Sequence, residues 1–344
     1  MSNPPMVNWK GIVRAGVLTG LAATMGLTGL RTRVNETPLD SDLFSNDYQH
    51  VVVMAHQDDE LGYAGLFQKQ GPSTKYIWVT NGDGLAKKQN RDPKEYAAER
   101  AKETEKAMLS LGIKKSQLKH LGYSEVELYN LFSQVKLGGR EREEALGKLE
   151  QVADHVYQEI KKSNPDVIWT LAYQGGHIEH DLTHLLSAYA RNKLEAEQKK
   201  DVKLMAFPEY QFTSVPPFFV PFRFKPWVER DVHSLTLNDQ ELESKMSLID
   251  SYPTQAKMFG QFKKAINFVG KLNPLRGGQR FDYQGLAKKE VFEKVPSNFN
   301  YSKSPNRKGW ENYMFYKDSW KHVTRPIAEH LVPFGNVGPT IAAK

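Results

Sequence analysis

From about residue 48 the chain alternates short apolar runs with stretches of helical period. Val51–Ala55 is apolar throughout and predicts a strand buried on both faces, with a helix over Leu61–Gln70 behind it. Tyr76–Thr80 predicts a second strand, ended by the turn Asn81-Gly82-Asp83-Gly84. Pro93 opens a helix that runs to about Leu111, where Gly112 stops it. Leu118–Gly122 predicts a short third strand, and residues 142–162 a charged amphipathic helix. Val167–Leu171 follows Pro165 as a fourth strand, His180–Lys193 reads as a helix, and Lys203–Phe207 as a fifth strand. Strands alternating with helices imply βαβ units, an α/β fold and a mostly parallel sheet. Sheets of that kind place ligands beyond the carboxyl ends of their strands.

Three regions depart from this rhythm. Residues 207–228 hold eight aromatics and five prolines in 22 residues, which excludes a regular helix or a central strand. The segment reads as a lid, or as a crossing loop whose aromatics fill the edge of the core. At the N-terminus, Lys10 and Arg14 precede the uncharged run Ala15–Leu30, and Arg31 and Arg33 close it. Sixteen residues suit the apolar region of a signal peptide or a short anchor, so residues 1–33 predict export or membrane anchoring in a bacterial envelope. An amphipathic helix on a cytoplasmic protein is the alternative. At the other end, residues 251–344 carry 16 Lys/Arg against 6 Asp/Glu, a net +10 in a chain of net +7. Such charge meets an anionic membrane or polysaccharide surface, or else forms a solvated face; no nucleic-acid module accompanies it, and no nucleic-acid partner is expected. The chain therefore divides into 1–33, a main domain over 34–257, and a basic, aromatic C-terminal extension over 258–344.

The chain contains no cysteine, so any metal must be held by His, Asp or Glu. Two constellations remain once the common phosphate and nucleophile motifs are found missing. Ala55-His56-Gln57-Asp58-Asp59-Glu60 follows the first strand. His56 and Asp59 lie three residues apart and can share an ion, with Asp58 near a water on it; an acidic helix cap is the plainer reading. Gly175-Gly176-His177-Ile178-Glu179-His180-Asp181-Leu182-Thr183-His184 follows the fourth strand and gathers three of the ten histidines. His180 and His184 make a near miss of the zincin pattern H-E-x-x-H, with Asp181 where that pattern has Glu. Together the two clusters offer His, Asp and His around one metal, plus a spare Asp and a spare His. Zinc with three protein ligands suits hydrolysis, and two His with one carboxylate can also hold Fe(II).

His56-Gln57-Asp58-Asp59-Glu60 resembles the A-H-P-D-D-E motif of the PIG-L/LmbE-like family of zinc-dependent N-acetylglucosaminyl-phosphatidylinositol de-N-acetylases and their relatives. His177-Ile178-Glu179-His180 resembles that family's second motif, H-P-D-H. Echoes lie at Thr80–Gly84, at Arg100 to Glu103, at Gly122-Tyr123-Ser124-Glu125, and from Lys245 through Tyr252 to Gln255. The resemblance spans about residues 48–257. It implies a Rossmann-like fold, zinc or another divalent metal, and hydrolysis of an N-acetyl group from an N-acetylglucosamine-containing substrate. It places His56, Asp59 and His180 at the metal, Asp58 as general base and His177 as the catalytic histidine. Arg100, Glu125 and Tyr173 fall near the substrate positions. Gln57 and Ile178 stand where the family has prolines, and Glu125 where it has Asp. The alternatives are an amide hydrolase on a non-sugar substrate and a glycan-binding module with a structural metal. The oligomeric state is not specified by any of these residues.

Overall fold

The computed structural model describes residues 36–44, 48–214, 217–224, 230–276, 279–306, 311, 313 and 320–334. The N-terminal apolar run lies outside them. Among the described residues no helix is long and apolar enough to cross a membrane.

The strands are β1 (Glu36–Pro38), β2 (His50–Met54), β3 (Lys75–Thr80), β4 (Leu118–Tyr123), β5 (Val167–Leu171), β6 (Lys203–Phe207), β7 (Tyr210–Ser214), β8 (Pro217–Pro221), β9 (Val232–Thr236) and β10 (Lys289–Val295). The helices are α1 (Ala64–Lys69), α2 (Pro93–Ser110), α3 (Glu125–Leu137), α4 (Gly139–Lys161), α5 (Ile178–Gln198), α6 (Asp239–Ser247), α7 (Ala256–Leu272), α8 (Tyr283–Ala287) and α9 (Thr324–Leu331). Eight strands form one sheet in the order β1-β9-β10-β6-β5-β2-β3-β4. The run β6-β5-β2-β3-β4 is parallel throughout. That is the Rossmann-type order, in which the chain winds outward from β2 through β3 to β4, then returns to β5 and winds the other way. The reversal between β2 and β5 opens a crevice at their carboxyl ends, where such sheets bind ligands.

Local chemistry explains the elements. Val51, Val52 and Val53 are β-branched and fully buried, and successive side chains serve opposite layers. Val51 and Val53 pack with Leu128, Phe132, Leu149, Val156, Leu182 and Leu186 of α3, α4 and α5 on one face. Val52 and Met54 pack with Tyr63, Leu66, Phe67 and Met108 on the other. Helix α2 begins where Asp92 accepts N–H bonds from Lys94 (2.9 Å) and Glu95 (3.0 Å), with Pro93 at the first helical position.

The five expected strands are all present, to within a residue at each end. Helix α3, capped by Ser124, occupies part of a stretch to which the apolar pattern assigned no element. The boundary drawn after residue 257 is corrected by the sheet itself. Strand β10 runs antiparallel between β6 and β9, and Tyr301, Tyr313, Trp320, Val323 and Ile327 join the main core. The C-terminal region is built into the domain. Its strand β10 carries no continuous apolar run, because Glu290 and Glu293 interrupt it. Both are buried and paired with cations, Glu290 with Lys245 of α6 at 2.7 Å and Glu293 with Arg230. Segment 207–228 contains a two-stranded antiparallel sheet, β7 with β8, separate from the main sheet.

His50, at the start of β2, is 2% exposed and accepts a bond from Trp169 Nε1 at 3.1 Å. Burial pushes its pKa down to about 4. The unfolded chain protonates this ring below about pH 6.5, while the folded protein keeps it neutral to about pH 4. Stability is therefore complete above pH 6.5 and falls through that window, by about 3 kcal/mol from this group alone. Melting temperature measured from pH 7 to pH 4 should drop more steeply in the wild type than in His50→Gln. Parallel slopes would remove His50 from the account.

Candidate active site

The loop after β2 and the start of α5 after β5 meet at the crevice. Asp59 folds back over its own loop, and its Oδ2 accepts the N–H groups of Ala55 and His56, both at 2.8 Å. Its other oxygen is left for the interior. Asp59 Oδ1 lies 3.6 Å from His56 Nδ1 and 3.4 Å from His180 Nε2, and the two nitrogens are 3.3 Å apart. A tetrahedral ion with ligand bonds of about 2.0–2.1 Å has its donor atoms about 3.4 Å from one another. The three donors therefore outline one face of such a site. All three residues are buried. His56 Nε2 donates to Glu179 Oε2 at 3.0 Å, which turns the ring and leaves the Nδ1 lone pair facing the other two donors. His177 stands alongside, its ring centroid 5.0 Å from that of His56 and 4.8 Å from that of His180. Two other sets of donors share His56, one with His177 and His180 and one with Glu125 and Glu179, each with its atoms within 4.8 Å of one another. The Asp59 set has the spacing of a single small ion.

Asp58 sits beside these donors and outside their set. Burial raises its pKa, and the Arg100 guanidinium, 3.2 Å away, pulls the other way. Arg100 comes from α2 and also donates to the carbonyl of Gln57. Gln57 ties the loop to β3 by donating to Thr80 O at 2.7 Å, a hydrogen-bonded substitute for a stiffening proline. Gly82, at φ 74°, lets β3's turn pass close by; a Cβ there would meet Gln57 Oε1 at 2.4 Å. Asp83 in that turn accepts from Glu125 N (2.9 Å) and Ser124 Oγ (2.7 Å), which brings the first residue of α3 to the crevice. Burial, then the nearby Glu179 carboxylate, pushes Glu125 up to about 8. Burial and the rings of His180 and His56 hold His177 well below the ordinary histidine range.

Tyr173 departs from expectation. It is 1% exposed, donates to Tyr301 O at 3.2 Å and accepts from Trp320 Nε1 at 2.6 Å. Its hydroxyl is held by the C-terminal region, through Tyr301 and Trp320. His184 likewise turns away, bonding Leu171 O (2.7 Å) and Tyr301 Oη (3.0 Å) through its two nitrogens. Asp181 accepts from Gln174 N and Gly175 N, both at 3.0 Å, and from Tyr313 Oη at 2.6 Å. The H-E-x-x-H near miss is thus a loop brace and a core histidine.

The site contains residues that the sequence patterns did not single out. Glu179, between His177 and His180, reaches the crevice by accepting from His56 Nε2 at 3.0 Å, a contact that helical spacing from His177 does not dictate. Tyr210, just past β6, brings its ring 5.3 Å from that of His180 and 6.2 Å from that of His177. It gives the aromatic segment a place at the site wall. The close approach needs Gly176, where a Cβ would lie 2.1 Å from Tyr210 O.

Residues 51–190 match the family described as GlcNAc-PI de-N-acetylase, PIG-L. No curated protein matches the chain. Among solved structures, the A40926 pseudoaglycone deacetylase Dbv21 aligns at 13% identity and TM-score 0.47, over 74% of this chain and 99% of that one. The N,N'-diacetylchitobiose deacetylase from Pyrococcus horikoshii aligns at 18% identity and TM-score 0.45, over 75% and 88%. The conserved protein TT1542 from Thermus thermophilus aligns at 18% identity and TM-score 0.40, over 74% and 97%. The segment of the family match begins in β2 and ends in α5, taking in both loops of the crevice, so the resemblance to the PIG-L family holds over residues 51–190.

Proposed function

We propose that the protein is a metal-dependent amide hydrolase that removes the N-acetyl group from an N-acetylglucosamine-containing substrate, with zinc as its metal. The observation that carries this is the triangle of His56 Nδ1, Asp59 Oδ1 and His180 Nε2, with edges of 3.3 to 3.6 Å and Asp58 beside it. Nitrogen and carboxylate donors at that spacing suit zinc. A divalent ion held there supplies Lewis acidity, acidifying a bound water and polarising the acyl oxygen. The chain's own groups do the rest. Arg100 keeps a positive charge against the Asp58 carboxylate, which takes the proton of the attacking water. The water's oxygen bonds to the acyl carbon, the C–N bond breaks, and the products are acetate and a free amine. His177, held neutral, donates its ring N–H to the developing oxyanion. The proton taken by Asp58 is then delivered to the leaving nitrogen. A structural metal would require neither Asp58 nor His177 in these places.

Export or anchoring through residues 1–33 and an anionic surface as partner belong to the same proposal. Of the C-terminal lysines, Lys288 pairs with Asp239 at 2.9 Å and Lys289 with Glu36, so both are already engaged. The exposed lysines of α7 are better placed: Lys257, Lys264 and Lys271 recur at helical spacing on a helix without acidic residues. The test is acetate release by metal-replete protein from a panel of acetylated peptides and N-acetylated glycans, the glycans some neutral and small, some vesicle-bound or polyanionic. Release from glucosamine derivatives and not from acetylated peptides is expected. Lys→Gln changes at 257, 264 and 271 should raise KM for the anionic substrates alone, and less so at high salt. Inert protein across the panel would overturn the activity.

A further inference from the structure

Asp58 has φ 136° and ψ −13°, a backbone conformation that a residue with a Cβ adopts only under constraint. The constraint is visible. The N–H of Asp58 donates to Glu60 Oε2 at 3.0 Å, and Trp78 Nε1, from β3, donates to the same oxygen at 3.2 Å. The other oxygen of Glu60 accepts the hydroxyl of Tyr252. Glu60 is fully buried, and Tyr252 is fully buried in a cluster with Leu61, Ala64, Ala107 and Leu248. Two residues of the same chain segment fix the loop and its setting further. Lys245 Nζ donates to Gly62 O at 2.5 Å, and Gln255 Nε2 donates to Tyr96 Oη, on the helix that carries Arg100, at 2.7 Å. Residues 245–255 lie past the family match and supply no donor to the His56–Asp59–His180 set. Their contacts converge on the loop that presents Asp58.

We propose that Glu60 and Tyr252 are positioning residues: they clamp the Asp58 backbone in its strained conformation and so aim the Asp58 carboxylate. The proposal rests on the role of Asp58 as general base given above. Either carboxylate oxygen of Glu60 has a defined task, and a carboxamide can perform both. The Gln oxygen would accept from Asp58 N–H and Trp78 N–H, and its NH2 would donate to a Tyr252 hydroxyl turned to accept. Ala at 60, or Phe at 252, leaves a donor or acceptor unanswered and lets the loop relax.

The experiment measures kcat, KM, metal content and melting temperature on metal-replete Tyr252→Phe, Glu60→Ala and Glu60→Gln. Tyr252→Phe and Glu60→Ala should lower kcat roughly 10- to 100-fold, with KM and metal stoichiometry nearly unchanged. Glu60→Gln should recover most of what Glu60→Ala loses. A second readout needs no activity. Asp58→Gly should melt above Asp58→Ala, because glycine adopts this φ without strain, and the difference should shrink when Tyr252→Phe is added. Full kcat in Tyr252→Phe and Glu60→Ala would overturn the clamp, as would losses that track metal loss, or a Gly–Ala difference indifferent to Tyr252. Asp58→Asn in the same series keeps the two readings apart: retained turnover there defeats the base assignment, while the melting comparison still judges the clamp.

Discussion

Asp58→Asn is expected to retain the metal and lose about 10²–10⁴-fold in kcat, the usual range for removing a general base. The structure separates the two properties. The donor triangle is made by His56, Asp59 and His180, and Asp58 contributes no edge to it. Asn has nearly the shape of Asp and keeps the same backbone N–H for Glu60, so the loop retains its anchor. It cannot accept the proton of water. The Arg100 guanidinium loses a charged partner but keeps the Gln57 carbonyl. A modest fall in melting temperature is therefore expected beside the large fall in turnover. Metal content and acetate release on one preparation decide the matter. Near-normal release by a metal-replete Asp58→Asn protein would sink the assignment.

The parallel core was legible because its strands are buried on both faces and therefore read as unbroken apolar runs. Val51–Met54 and Val167–Leu171 have no polar position that a solvent face would demand, apart from Thr170, whose hydroxyl accepts from Ser187 Oγ at 3.0 Å. The candidate donors His56 and His180 drew notice for a related reason: a histidine near the exit of such a run has no packing task. Strand β10 was not legible, since its interior positions hold Glu290 and Glu293, whose partners Lys245 and Arg230 lie far away in sequence. Tyr173 misled in the opposite direction. An aromatic hydroxyl two residues past β5 looks like a site residue until the C-terminal region supplies Tyr301 and Trp320 to engage it. The clamp on Asp58 was beyond reach because positive φ at a non-glycine residue leaves no mark in composition or periodicity. What sequence hides, in each case, is a long-range partner.

His180→Ala is expected to abolish stoichiometric metal binding, while His184→Ala keeps it. The two residues are one helical turn apart and chemically identical, and the difference lies in what each ring faces. His180 Nε2 points to Asp59 Oδ1 and His56 Nδ1 at 3.4 and 3.3 Å. Both nitrogens of His184 are committed to protein groups, the Leu171 carbonyl and the Tyr301 hydroxyl. Removing His180 takes one of three protein ligands from the ion and leaves two donors that do not enclose it. Removing His184 leaves a buried carbonyl and hydroxyl short of partners, at a cost of about 1–3 kcal/mol before any cavity is counted. The stability readouts should accordingly cross. A bound ion stabilises only the folded state, so a chelator should lower the melting temperature of wild type and of His184→Ala. It should leave that of His180→Ala unmoved. His184→Ala should melt below wild type with metal present. Metal stoichiometry that survives His180→Ala and collapses in His184→Ala would return the ligand role to the zincin-like pair and undo the triangle on which the proposed chemistry depends.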